Sequence, residues 1–183
     1  MLRTFLSIPV PVTQGLRRIH REVELLGGPL RLERQSQWHL TVKFLGETEE
    51  SQVPAIIERV AEVTATFGPF ELQLRGVGVF PHERHPVVLW TGVFPDEPIG
   101  SLARGLDEAV VTLGFAAERR AFHPHLTLAR INGRPPRDFA ELLRKRATTE
   151  FGAVPVERVE LMKSDLGPQG ARHSVLEAFL LRG

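Results

Sequence analysis

The 183-residue sequence contains no cysteine. Disulfides, thiolate nucleophiles and cysteine-based zinc or iron–sulfur centres are therefore excluded, and the absence suits a cytoplasmic chain. Excess charge of either sign is missing too: 23 Lys and Arg against 22 Asp and Glu leave a net charge of +1. That balance supplies no bulk attraction to nucleic acid or anionic lipid, so contact with a polyanion has to come from a local cluster. No long apolar run occurs. The opening MLRTFLSIPVPV is too short to span a bilayer. Its prolines, and the lack of a small-residue cleavage site after it, make it a poor secretion signal; it reads as a first strand, and no membrane partner is expected. Low-complexity stretches and long linkers are also absent, so residues 1–183 read as one domain.

What is present suits a packed core, with 42% hydrophobic and 25% charged residues. Helical periodicity runs through 13–26, 51–66, 98–113 and 136–147. Thr13 is placed to cap the first, Gly27, Gly68 and Gly114 to stop the first three, and Pro136 to open the fourth. Strand-like runs lie at RTFLSIPV, WHLTVKFLG, FELQLRGVGVF, PVVLWTGVF, HPHLTLARI, VPVERVELMKSDL and HSVLEAFLLR. The expected class is α+β, with about four helices and at least seven strands.

The sequence repeats itself. HLTVKF begins at His39 and HLTLAR at His125, 86 residues later. The same offset carries Pro9 onto Pro95, Leu16 onto Leu102, Gly28 onto Gly114, Val53 onto Phe139 and Ile57 onto Leu143. Two pseudo-symmetric lobes of antiparallel sheet with outer helices, roughly 1–85 and 86–183, account for this. Their terminal strands can exchange between lobes, and a groove is expected between them.

In a strand, residues i and i+2 share a face. His39 and Thr41 then project together, as do His125 and Thr127, while Leu40, Val42, Leu126 and Leu128 anchor the opposite side. One HxT on a strand is ordinarily a half-exposed surface pair; two at matching places in a repeat frame a site. Two imidazoles and two hydroxyls across a groove suit the opening of a cyclic phosphodiester. One imidazole takes a proton from water and the other gives one to the leaving ribose oxygen. The hydroxyls donate to non-bridging phosphate oxygens, and no metal or other cofactor is demanded.

HLTVKFLG and HPHLTLAR resemble the paired signatures of the 2H phosphoesterase superfamily, and more narrowly of RNA 2′,3′-cyclic phosphodiesterases, also called 2′-5′ RNA ligases. GVGVFPHERHPVVLW and LMKSDLGPQGARHSVLEAFLL are similar to further stretches of that family, so the likeness spans nearly the whole chain. It implies a two-lobed fold with a basic groove that opens RNA terminal 2′,3′-cyclic phosphates to 2′-phosphomonoesters. The reverse reaction joins tRNA-like halves without ATP. By the same likeness His39 and His125 are the acid–base pair and Thr41 and Thr127 bind phosphate. For hydrolysis to a 2′-phosphate, His125 is assigned as the base and His39 as the acid to O3′, a division that the pseudo-symmetry of the sequence leaves open. Two positions depart from the family: His173 stands where Tyr is common, and Val87 where Arg is common.

Other candidates are weaker. Arg130 and Phe44 each lie five residues past a histidine, where strict alternation turns them away from it. Phe44 is thus expected in the core, with base stacking as the other reading, whereas Arg130 reaches phosphate if a bulge turns it. Arg31, Arg34, Arg119 and Arg120 precede the HxT strands and suit a groove rim. Arg31, Arg120, Phe44 and His173 are the candidate RNA contacts. Lys43 falls by alternation on the face of His39. His82, His85, Glu83 and His123 offer a metal reading, but the loop pair reads as a charged turn and no carboxylate adjoins His123 and His125. With His20, the loop histidines are expected at the surface. A monomer is the default. Competing readings are a 2H enzyme for a small cyclic nucleotide, betrayed by a closed pocket, and a non-catalytic RNA-binding module.

Overall fold

The structure, a computed structural model, describes residues 1–167 and 170–183. Pro168 and Gln169, within the C-terminal segment quoted above, lie outside the described residues. The chain is α+β. Its strands are β1 (Leu2–Pro9), β2 (Leu30–Leu32), β3 (His39–Thr48), β4 (Phe70–Phe80), β5 (Val88–Phe94), β6 (His125–Ile131), β7 (Glu150–Val156), β8 (Arg158–Gly167) and β9 (Gly170–Leu180). Four helices are interspersed: α1 (Gln14–Leu26), α2 (Val53–Thr64), α3 (Ile99–Val111) and α4 (Phe139–Arg146). None among the described residues is long and apolar enough to cross a membrane.

Local chemistry sets the boundaries. The Thr13 hydroxyl accepts from the Leu16 amide (3.1 Å) and caps α1, and Gly27 ends it at φ 62°. Before α2 a 3-10 turn at Glu50–Gln52 is held by a Glu49/Gln52 capping box, so the helix proper starts later than periodicity suggests. Pro136 opens a turn and not α4: its carbonyl accepts from Phe139, where α4 begins. The run VPVERVELMKSDL breaks at Glu157 into two strands. The three-residue β2 was not expected; too short to show a period, it exists because it pairs with β6.

All pairings are antiparallel, in the order β7-β4-β5-β6-β3-β1-β8-β9, with β2 beside β6. The 86-residue offset maps β1 onto β5, β3 onto β6 and β4 onto β8. Two quartets result, β7-β4-β5-β6 and β3-β1-β8-β9, and they meet at a single register pair, Leu40 with Leu126. These two leucines are themselves related by the offset, so the pseudo-two-fold axis passes between them. β4, from the first half, pairs with β5 of the second, and β8 returns to pair with β1.

One face of this sheet carries the core. On β4, Leu72 and Leu74 are fully buried while Glu71, Gln73 and Arg75 are exposed. Leu16, Ile19, Ile56, Val60, Leu102 and Leu106 join the same cluster from the helices. Each such side chain contributes roughly 1.5–3 kcal/mol by leaving water. The opposite face stays open.

Alternation fails at matching places in the two HxT strands. Leu6 pairs with Lys43 but Ser7 with Thr41, which leaves Val42 as the extra residue of a β-bulge. Leu89 pairs with Ala129 but Trp90 with Thr127, so Leu128 is extra in β6. Each bulge flips the residues after it. Lys43, only 6% exposed, turns to the core side instead of the His39 face; there it pairs with Asp107 on α3 and donates to the Ala116 carbonyl (2.6 Å). Phe44, expected in the core, is 70% exposed. Arg130 turns out in the same way.

Candidate active site

The open face at the junction of the quartets gathers the HxT residues. Because Leu40 and Leu126 are partners, the antiparallel register sets His39 toward Thr127 and Thr41 toward His125. All four are partly exposed. Neither threonine hydroxyl has a protein hydrogen-bond partner among the described residues, so both are available to a ligand.

Each imidazole is held by the carbonyl two residues before it. His39 Nδ1–H donates to Gln37 and His125 Nδ1–H to His123, both at 2.7 Å. A carbonyl can only accept, so in the neutral ring the proton stays on Nδ1 and Nε2 carries the free lone pair. The two halves thus present the same tautomer.

Their surroundings differ. Phe5 lies 5.0 Å from His39 and from His173, and the His39 and His173 rings meet edge-on at 5.4 Å. His173 Nδ1 is buried without a partner. Around His125 stand Phe80, edge-on at 5.0 Å, and Trp90 at 6.4 Å. Phe44 adjoins Phe5 at 6.1 Å. Aromatic surface therefore flanks both histidines.

Burial lowers the pKa of His39, His125 and His173 below the usual imidazole value. For His39 the bond to Gln37 and the carboxylates of Glu33 and Glu160 oppose that shift, and Arg130 adds to it. His125 has no carboxylate among its influences: the bond to His123 opposes burial, and the His123 charge reinforces it. For His173, neighbouring His39 and Arg130 push further down while Glu33 pushes up.

Arg130 stands on the histidine face, where its Nε donates to Glu33 at 3.1 Å. Arg31 of β2 is its register partner and so shares that face; its guanidinium lies against Gly170. Arg34 is exposed and precedes the 3-10 turn Gln35–Gln37 that leads into β3. Arg119 and Arg120 remain exposed in the loop before β6, with their amides donating to Glu118, and neither is among the charges acting on the two imidazoles. Val87, at the β4–β5 turn, is 53% exposed. His82 and His85 face each other at 5.6 Å in that turn. Among the described residues no group of three or more His, Cys, Asp or Glu could hold a metal ion. His20 is more than a surface residue. It stacks edge-on with Trp38 at 5.6 Å and contacts the Glu33 carbonyl and Gln35, which braces the segment leading into His39.

Sequence reasoning missed Phe5, Phe80 and Glu33 as site neighbours. Phe80 was visible in the FP dipeptide, but Phe5 and Glu33 reach the site only through sheet pairing.

The chain is similar to known proteins over nearly its whole length. The family described as LigT like Phosphoesterase matches residues 6–90 and 93–173. A protein of Methanothermobacter thermautotrophicus named RNA 2′,3′-cyclic phosphodiesterase is 35% identical over 185 residues, covering 98% of this chain and 99% of that one. One of the same name from Aeropyrum pernix is 36% identical over 165 residues, covering 88% and 92%. The crystal structure of TT0787 of Thermus thermophilus superposes with a TM-score of 0.86 at 32% identity, covering 99% and 98%.

Proposed function

Since the chain belongs to the LigT-like phosphoesterase family, we propose that it hydrolyses the 2′,3′-cyclic phosphate at the end of an RNA to a 2′-phosphomonoester, with His39 and His125 moving the protons. The observation that carries this reading is the matched pair of imidazoles on one open face, each with Nδ1 bonded to a carbonyl and Nε2 free. The names of the relatives support the same reaction.

In this mechanism neutral His125 takes a proton from water as the water attacks phosphorus. Protonated His39 gives its proton to O3′ as the P–O3′ bond breaks, leaving phosphate on O2′. Each transfer supplies on the order of 10²–10⁴ in rate. The asymmetry of charge favours this division, because Glu33 and Glu160 act on His39 and no carboxylate acts on His125. Thr41 and Thr127 donate to the non-bridging oxygens, and Arg130 offsets their charge. The proton transfers need no cofactor. With the 5′-hydroxyl of a second RNA attacking phosphorus in place of water, and its proton passing to His125, the same opening of the P–O3′ bond joins two RNA ends through a 2′-5′ bond.

The open face flanked by Phe44, Trp90 and arginines favours RNA over a small cyclic nucleotide in a closed pocket. The test is turnover of an RNA oligomer ending in a 2′,3′-cyclic phosphate, in EDTA, by wild type, His39→Ala and His125→Ala. A 2′-phosphate product lost in both variants is expected. Undiminished turnover in either variant overturns the two-histidine mechanism.

A further inference from the structure

Beyond the histidines, the open face continues into a depression of about 300 Å³ on the β5 side, bordered by Arg75, Trp90, Gly92, Phe94 and Thr148. We propose that this shelf binds the nucleotide adjoining the one that carries the cyclic phosphate, so that the chain acts on oligonucleotide ends in preference to mononucleotides. The inference rests on the reaction proposed above and names the length of substrate it takes.

The register ties the shelf to the site. His125 pairs with Gly92, and Gly92 pairs with Arg75. The three stand in a row across neighbouring strands, which sets Arg75 about 10 Å from His125 by backbone spacing.

Two glycines shape it. A Cβ at Gly92 would lie 3.3 Å from Phe94 Cε2, 3.6 Å from Trp90 Cζ3 and 2.9 Å from the Arg75 carbonyl. Both rings therefore lean over the bare backbone. A Cβ at Gly78, the partner of Trp90 on β4, would collide with the benzo edge of the same indole. The indole reaches over both glycines, with Phe80 beside it at 5.1 Å and 33°. Phe94 stays 48% exposed. The result is an aromatic strip running outward from His125 over a bed of bare backbone.

Charge selects the occupant. Arg75 is exposed at the far side of the row and forms no ion pair among the described residues, even with Glu150, its register partner on β7. An unpaired guanidinium next to stacking surface fits a base with its phosphodiester. An RNA held by its cyclic end at the histidines has one such unit within reach, the penultimate nucleotide.

The experiment compares kcat/KM for a 2′,3′-cyclic mononucleotide with that for a dinucleotide ending in the same cyclic phosphate. Wild type, Phe94→Ala and Arg75→Gln are measured side by side; both side chains are exposed, so both variants should fold. A single stacked base and its phosphate should give wild type a dinucleotide preference on the order of tenfold or more. Each variant should pull that ratio toward one. A wild-type ratio near one, or a ratio that neither variant changes, overturns the proposal. If wild type turns over neither substrate, the reaction itself fails, and Trp90 fluorescence, read in a Trp38→Phe background because the chain has a second tryptophan there, then decides on the shelf alone. A dinucleotide 3′-phosphate must quench it at lower concentration than a mononucleoside 3′-phosphate, and the difference must shrink in Phe94→Ala. Equal titrations overturn the shelf too.

Discussion

Leu40 and Leu126 form the single register pair that joins β3 to β6, and each is flanked by the histidine and threonine of its own HxT motif. Packing at this pair sets how far apart the two imidazoles stand. Leu126→Ala removes a side chain that is 1% exposed and should cost about 2–5 kcal/mol. Leu106→Ala on α3, equally buried, should cost a similar amount. Only the Leu126 variant should lower kcat at temperatures where both are folded. Urea melts beside steady-state kinetics separate the two, and equal kcat would show that the junction does not govern the site.

The free hydroxyls of Thr41 and Thr127 make a second case. Valine keeps their shape and removes the donor. Since neither hydroxyl bonds to protein, either Thr→Val variant should stay within about 0.5 kcal/mol of wild type in stability. Its kcat/KM should fall by about 10². A stability loss matching the activity loss would assign the threonines to the sheet instead of the phosphate.

The pH dependence follows from burial. Both His39 and His125 have pKa values below the usual imidazole value, which is about 6.5. The bell-shaped profile of kcat/KM reports the free enzyme, so its maximum should lie below about pH 6.5, with activity declining toward pH 8. The two limbs belong to the pair and not to one ring each. Activity that climbs through neutrality would contradict the lowered values.

Stability should respond in the same range. His39, His125 and His173 all resist protonation when folded, while the unfolded chain binds protons near pH 6.5. Below that value the unfolded state holds more protons, so stability falls as pH drops through about 6.5 and levels off above it. Urea midpoints between pH 5 and 8 should show the slope, and it should be shallower in His173→Phe.

Lys43 gives the last test. Its ammonium is buried against Asp107, whose carboxylate also accepts from the Glu118 amide. Lys43→Met should cost about 3 kcal/mol by leaving that carboxylate without its cation, and Asp107→Asn added to it should restore part of the loss. A double-mutant cycle in urea measures the coupling.

Lys43 also marks where sequence reading stops. Alternation set it beside His39 and set Phe44 in the core; a bulge at Val42 reverses both. A bulge is a property of two paired strands, and one strand's sequence does not carry it. The repeat, in contrast, was legible because the offset preserves helix on helix and HxT on HxT. It even carries the bulge, since Val42 and Leu128 are 86 residues apart. The bed of Gly78 and Gly92 beneath Trp90 could not be read in advance, because the residues that meet there are joined only by strand pairing.

The crossing of β4 and β8 between quartets bears on how such a chain arises. A half-length ancestor, ending near the close of the first repeat, would have carried its β4 equivalent away from its own β1. Two copies could each have completed the other's sheet, as partners in a swapped symmetric dimer with one histidine from each copy. Fusion end to end would then have tied together what had met by diffusion, and freed the surroundings of the two histidines to diverge, His173 and Phe5 beside one and Phe80 and Trp90 beside the other.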